Sequence, residues 1–191
     1  MPATDMEGYL TVAYKNVVCS RGRKFLDDDD TRLHISKTAE WLTSNKNRVG
    51  LLLYGTRGNG KTSLALAIQK VINTLFDSSY AEERHGVTTV SALDIANLAK
   101  NESAYYKRVC EAELLHIDDL GCEPASIKVY GNETSPITDM LYYRYDHQLY
   151  TVITSNLSLE DIEERYGSRL ADRFYEMFDR IAFSGRSYRR M

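Results

Sequence analysis

Gly55-Thr56-Arg57-Gly58-Asn59-Gly60-Lys61-Thr62 follows the apolar run Val49-Gly50-Leu51-Leu52-Leu53-Tyr54. It precedes Ser63 to Ile72, where apolar residues recur at helical spacing. The octapeptide fits G-x-x-x-x-G-K-[ST], and strand, glycine loop and helix start are the parts of a triphosphate cradle. Glycines let the backbone turn with positive φ and approach a ligand closely. The loop N–H groups then point inward as an anion nest, and the next helix adds its positive end. Gly55, Thr56, Arg57, Gly58, Asn59, Gly60, Lys61, Thr62 and Ser63 are therefore the expected nucleotide-binding residues. Lys61 is expected to reach the β- and γ-phosphates, and the Thr62 hydroxyl to ligate Mg²⁺. A bare strand-to-helix turn does not call for Lys-Thr at those two positions.

The rest of the chain is organised around that unit. It has 191 residues, 43% hydrophobic and 27% charged, enough for one globular domain with a sizeable core. The net charge of −3 makes it no polycation, so any nucleic-acid contact must come from a local patch. The three cysteines, Cys19, Cys110 and Cys122, are widely spaced and suit neither a zinc site nor a disulfide framework. No apolar run approaches the roughly 20 residues of a membrane span, and the N-terminus has no signal-like pattern, so a cytoplasmic protein is expected.

Residues 1–45 read as an N-terminal arm and a helix, and 46–191 as the core. Leu10 to Tyr14 suggests a short strand or an extended arm. Asp27 to Asp30 reads as a solvated turn with Asp30 capping a helix that carries Leu33, Ile35, Ala39, Trp41 and Leu42. Beyond the glycine loop a helix runs to about Phe76. Strands at Thr88–Ser91, Leu114–Ile117, Tyr150–Thr154 and Ile181–Phe183 alternate with helices from Asp94, around Tyr105–Val109, over Ile137–Tyr145, from Ser158, and over Arg169–Met177. Residues 121–135 read as a loop. Strands alternating with helices predict an α/β fold with a parallel sheet and helices on both faces.

Leu114-Leu115-His116-Ile117-Asp118-Asp119 supplies what a glycine loop lacks. A buried strand delivers two carboxylates at its C-terminal end, where ligands of open α/β sheets bind. Asp118 is expected to hold Mg²⁺, and Asp119 to orient and polarise the attacking water. His116, inside the apolar run, reads as a packed residue. Thr151-Val152-Ile153-Thr154-Ser155-Asn156 repeats the format, and a neighbouring parallel strand would set Asn156 beside the γ-phosphate.

Gly55 to Thr62, Leu114 to Gly121, Thr154-Ser155-Asn156-Leu157 and Arg169-Leu170-Ala171-Asp172-Arg173 occur in this order. Together with Tyr142-Tyr143-Arg144-Tyr145 and the closing Ser184 to Arg189, they resemble the ATPase domain of the DnaC-type helicase loaders. The transposition helper IstB is similar, and both are AAA+ ATPases. The resemblance covers about residue 45 to the end. It implies a P-loop AAA+ core with a five-stranded parallel sheet in the order 5-1-4-3-2. Such proteins usually carry a helical lid after the core; this sequence departs from that pattern by stopping soon after its last expected strand, so no separate C-terminal lid domain is expected. The resemblance also implies an ATPase that is slow and stimulated by assembly or DNA, and a homo-oligomer in the ATP-bound state. Asn156 takes the sensor role, and Arg173, or failing that Arg169, reaches a neighbour's ATP site. The second sensor arginine of such proteins has no evident counterpart; Arg186, Arg189 and Arg190 are the candidates.

The implied partners are single-stranded DNA and a replicative helicase, with a transposase as the IstB-like alternative. Lys100, Lys107 and Arg108 beside Tyr105 and Tyr106, and the arginines around Tyr188, suit stacking plus phosphate contact. A small-molecule P-loop kinase shares the glycine loop, but would not be expected to pair Asp118-Asp119 with a Thr-Ser-Asn strand end. A scaffold that changes shape with nucleotide without hydrolysing it is a third reading.

Overall fold

The computed structural model describes residues 1–45, 48–75, 86–129, 131–185 and 188. Five parallel strands form the central sheet: β1 (Gly50–Gly55), β2 (Thr88–Ser91), β3 (Leu114–Leu120), β6 (Tyr150–Ser155) and β7 (Phe178–Phe183). Their order is β2-β3-β6-β1-β7. Counted within this sheet alone and from the β7 edge, that is 5-1-4-3-2. Two further strands, β4 (Ile127–Val129) and β5 (Asn132–Thr134), pair as an antiparallel hairpin inside the stretch that reads as a loop. Three-residue strands are too short to show a hydrophobic period, so only the tertiary structure reveals them.

The triplet Leu51-Leu52-Leu53 shows how the strand pattern builds two cores. Successive side chains point to opposite faces. Leu51 and Leu53 join a cluster with Leu64, Ile68, Ile35 and Trp41, while Leu52 joins Leu115, Ile117, Met140 and Phe174 on the other face. Val152 and Ile153 divide in the same way. One face is covered by α1 (Ala3–Ser20), α2 (Asp29–Thr43) and α3 (Lys61–Leu75). The other is covered by α4 (Ala92–Asn101), α5 (Ser103–Glu111), α6 (Pro136–Asp146), α7 (Leu159–Tyr166) and α8 (Ser168–Met177).

The expected strand or arm at Leu10–Tyr14 is instead the interior of α1. Leu10, Val12 and Tyr14 alternate like a strand, but Met6, Leu10, Tyr14 and Val17 lie on one helical face and are buried, while Val12 stays exposed. That face joins the same cluster as Leu51 and Leu64, so the N-terminal helices belong to the core of the nucleotide-loop layer. The cap of α2 is Asp28, not Asp30: its Oδ1 accepts from the Thr31 N–H at 2.9 Å. Trp41 is buried and donates to the Arg48 carbonyl at 2.9 Å. Ser158 and Asp161 form a complete capping box on α7. β7 starts at Phe178, earlier than the expected Ile181, because Phe178 pairs with Gly50 at the start of β1.

Arg144 is the largest fully buried side chain among the described residues. Its guanidinium donates to the carbonyls of Cys110 (2.9 Å), Ala112 (2.8 Å) and Tyr150 (2.7 Å) and to Thr151 Oγ1 (2.8 Å). It thereby ties the end of α5 and the start of β6 to α6. The α5 carbonyls carry the negative end of a helix, which suits a cation. Burial lowers the Arg144 pKa to about 10, so it stays cationic at neutral pH.

Candidate nucleotide site

In a parallel sheet the C-terminal ends of all strands share one edge. Here β3, β6 and β1 are neighbours, so Asp118-Asp119, Asn156 and the glycine loop meet there. A cleft of about 560 Å³ opens above them, lined by Arg57, Gly58, Gly60, Lys61, Thr62 and Ser63 of the loop together with Asp119 and Asn156.

The loop is shaped by its glycines and held by its polar residues. Gly58 and Gly60 have φ of 88° and 100°. A Cβ on Gly60 would lie 2.2 Å from the Tyr14 hydroxyl, so nothing larger fits beneath α1. The buried Asn59 amide donates to Thr56 Oγ1 at 2.8 Å and to the Phe183 carbonyl at 2.9 Å, and the Thr56 N–H donates to the same carbonyl at 3.0 Å. The loop is thereby fastened to the end of β7. The buried Lys61 Nζ donates to the carbonyls of Gly55 (2.9 Å) and Thr56 (2.7 Å) and to Asn156 Oδ1 (3.0 Å).

Asp118 Oδ1 accepts from Thr62 Oγ1 at 3.0 Å and from Thr154 Oγ1 at 2.6 Å. Thr154 Oγ1 also accepts from the Asp119 N–H at 2.9 Å, so one hydroxyl locks both carboxylate residues. Asp119 has φ of 54°, a left-handed conformation in a non-glycine residue. The pairing of β3 with β6 shifts register between Ile117 and Leu120, which turns the Asp119 side chain out toward the cleft. Asn156 Nδ2 donates to Asp119 Oδ1 at 3.3 Å, completing a chain from Lys61 through Asn156 to Asp119.

A hydroxyl and a carboxylate 3.0 Å apart form the hard oxygen donor set that suits Mg²⁺. That ion takes one or two protein ligands and completes its shell with water and phosphate. Thr62 and Asp118 thus fit the ion. His116 is fully buried; its Nδ1 lies 3.4 Å from Thr89 Oγ1 and its Nε2 3.7 Å from Asp118 Oδ1. Burial lowers its pKa to about 4, against the pull of Asp118, and so keeps it neutral.

The rest of the cleft wall comes from outside the expected residues. Tyr14, Val18, Arg21, Phe25 and Thr31, from α1, α2 and the turn between them, face the glycine loop, as does Tyr188. Arg21 Nη1 donates to Ser63 Oγ at 3.4 Å. Tyr188 donates its N–H to the Gly58 carbonyl at 2.9 Å and its hydroxyl to Asp28 at 3.0 Å. Burial, with Tyr188 and Asp28 nearby, raises the Tyr14 pKa. No local motif marks these residues; only the packing of α1 and α2 on α3 carries them to the loop. The role of Thr154 was within reach of the sequence, since it stands two residues before Asn156 on a strand that ends at the site.

Other expected residues lie elsewhere. Arg169 and Arg173 are on α8, outside the cleft lining. The Arg173 guanidinium sits 4.4 Å over the Tyr142 ring and 4.7 Å over the Tyr145 ring, with Nη1 3.6 Å from Asp146; Arg169 lies 5.8 Å from the Tyr142 ring. Tyr106 turns inward, its hydroxyl donating to the Pro136 carbonyl, whereas Tyr105 is exposed beneath Arg108. Tyr188 lines the cleft. Arg186, Arg189 and Arg190 lie outside the described residues. The aspartate run forms no metal cluster among the described residues, and none of their helices is long and apolar enough to cross a membrane.

The fold recurs in solved structures. The crystal structure of the DnaC helicase loader matches with a TM-score of 0.65 and 22% identity, over 90% of this chain and 98% of that one. That of DnaI matches with 0.63 and 20%, over 86% and 87%. The replication initiator DnaA bound to AMPPCP and single-stranded DNA matches with 0.56 and 18%, over 85% of this chain and 50% of that one. At these identities the likeness shows a shared fold, the P-loop AAA+ core. No curated protein matches the sequence. The family described as IstB-like ATP binding protein matches residues 23–191, which include the glycine loop, Asp118-Asp119, Asn156 and most of the cleft wall, and the chain belongs to that family of ATP-binding proteins.

Proposed function

We propose that this ATP-binding protein hydrolyses ATP and uses the reaction in DNA replication, as an accessory factor of the helicase-loader kind. The carrying observation is the pair of contacts that meet at the cleft. Thr62 and Asp118 are joined at 3.0 Å, and Lys61, Asn156 and Asp119 are linked at 3.0 and 3.3 Å. The loop N–H groups and Lys61 bind the β- and γ-phosphates. Thr62 and Asp118 hold Mg²⁺, which supplies charge neutralisation on the phosphate oxygens. Asp119 accepts a proton of the attacking water on its carboxylate, and the Asn156 amide holds that water in line. α1 and the turn after it shield the cleft from bulk solvent.

Arg173, with Arg169 beside it, reaches the ATP site of a neighbouring copy, where a guanidinium stabilises the charge that develops in the transition state. Both stand on a face away from their own cleft, as a residue acting in trans must. Single-stranded DNA and a replicative helicase are the proposed partners. The likeness to a helicase loader and to a single-strand-bound initiator supports this. The family match favours a second reading, in which a transposase takes the place of the helicase.

The test is phosphate release from ATP across a range of protein concentrations, with Mg²⁺ present and absent, and with and without single-stranded DNA. We expect turnover that requires Mg²⁺, a rate per subunit that climbs with concentration, and stimulation by the DNA. Absence of phosphate release at every concentration would overturn the hydrolysis reading. A rate per subunit that stays flat would overturn action in trans.

A further inference from the structure

A second carboxylate lies four residues beyond Asp119 and is buried. Glu123 is 4% exposed. Its Oε2 accepts from the Gly121 N–H at 2.8 Å, and its Oε1 accepts from the Tyr166 hydroxyl. Arg165 donates to the Glu123 carbonyl, with its Nε 3.6 Å from Oε1. Arg165 and Tyr166 are the last two residues of α7, and Gly167 alone separates α7 from α8, which carries Arg169 and Arg173.

The turn held in this way is the one that sets Asp119. The Cys122 N–H donates to the Asp119 carbonyl at 3.1 Å, and Ser155 Oγ donates to the Leu120 carbonyl at 2.7 Å. A Cβ on Gly121 would lie 2.6 Å from Leu157, immediately after Asn156, so the turn is wedged against the strand that presents the amide. A non-glycine residue in the left-handed region costs about 1 kcal/mol or more and persists only where its surroundings over-determine it. Thr154 holds Asp119 from the N-terminal side. The only buried carboxylate of the described residues holds the turn from the C-terminal side.

We propose that Glu123 is a positioning residue: by tying the turn after Asp119 to Tyr166 and Arg165, it keeps the Asp119 carboxylate against Asn156 in the orientation that hydrolysis uses. It touches neither the nucleotide loop nor the cleft. Because its anchors end α7, the same clasp joins the water-orienting carboxylate to the helix pair that bears the two arginines. The inference rests on the hydrolysis reading.

The test uses Tyr166→Phe, which removes one hydroxyl and keeps the ring, and Glu123→Gln, whose single amide oxygen cannot serve both donors. For each, kcat and KM for ATP, the Kd for AMPPCP, and the melting temperature are measured on the full chain. We expect kcat to fall about tenfold, which corresponds to about 1.4 kcal/mol of barrier, with KM and the AMPPCP Kd unchanged. The second arm repeats Tyr166→Phe in an Asp119→Asn background. Groups that act as a unit are strongly non-additive, so no further loss is expected there. An unchanged kcat, an equal fractional loss in both backgrounds, or a weakened AMPPCP Kd would each overturn the proposal. Should Tyr166→Phe melt below the assay temperature, Glu123→Gln is judged by the same readouts. A wild-type chain with no turnover would fail the hydrolysis reading itself, whereas an active wild type with indifferent variants would fail only the role of Glu123.

Discussion

Thr154 and Lys61 show what single side chains do at this cleft. Lys61 is held at the throat of the loop by backbone carbonyls and the Asn156 amide, with its ammonium where we propose that the phosphates bind. Lys61→Ala removes that charge, and we expect ATP affinity by calorimetry to fall by about ten- to a hundredfold, in line with the roughly 1.5–3 kcal/mol of a hydrogen bond to a charged group. Unchanged affinity would refute the assignment of the loop. Thr154 acts on Asp118 and Asp119 together, so Thr154→Val, nearly equal in shape, leaves the Asp119 N–H without its acceptor. We expect turnover to drop by about tenfold or more while the protein still folds, at a stability cost of about 1–3 kcal/mol for the orphaned donor. Full activity in the Thr154→Val variant would show that the bulged strand alone sets Asp119.

The elements were legible to different depths. β1, α3 and β3 announce themselves because each combines an apolar period with chemistry at its end, and the motif and the periodicity agree. α1 does not, since over five residues Leu10, Val12 and Tyr14 fit a strand as well as a helix. The choice is made by Met6 and Val17, which complete a helical face, and by α3, which buries it. Leu10→Ala tests that packing: the residue is fully buried, and the loss should be about 2–5 kcal/mol by denaturant unfolding. A cost below about 1 kcal/mol would mean that α1 detaches without disturbing the core. Arg144 stands within Tyr142-Tyr143-Arg144-Tyr145, and nothing in that segment hints at its burial, because an arginine in a helix normally faces water. Arg144→Met should destabilise by about 3 kcal/mol or more, since three carbonyls and a hydroxyl lose their donor in a dry setting.

At the scale of the whole molecule, the two faces of the sheet have different tasks. The α1–α3 face builds the nucleotide loop and the wall of the cleft; the α4–α8 face carries the arginines. Such a division suits an assembly in which one copy's α8 meets the next copy's cleft. Arg173→Ala should abolish turnover and leave AMPPCP affinity intact. Mixing it with an Asp119→Asn chain should restore part of the activity, because a site formed between the two variants has both intact groups. Mixtures no more active than the separate variants would exclude a shared site.

The residues alone determined the local chemistry. A glycine loop before a helix turns its N–H groups inward beside the positive helix end, and a buried strand ending in two carboxylates presents them at the sheet edge, because the N–H groups, the helix end and the alternation of side chains are all short-range properties. Tertiary structure decided what surrounds that chemistry. Tyr14 and Tyr188 stand near opposite ends of the sequence and meet over the loop. Asp119 is turned outward by a register shift against β6, and Glu123 is buried by the end of α7. These depend on which surfaces come together when two hydrophobic faces are covered, and no local pattern encodes that.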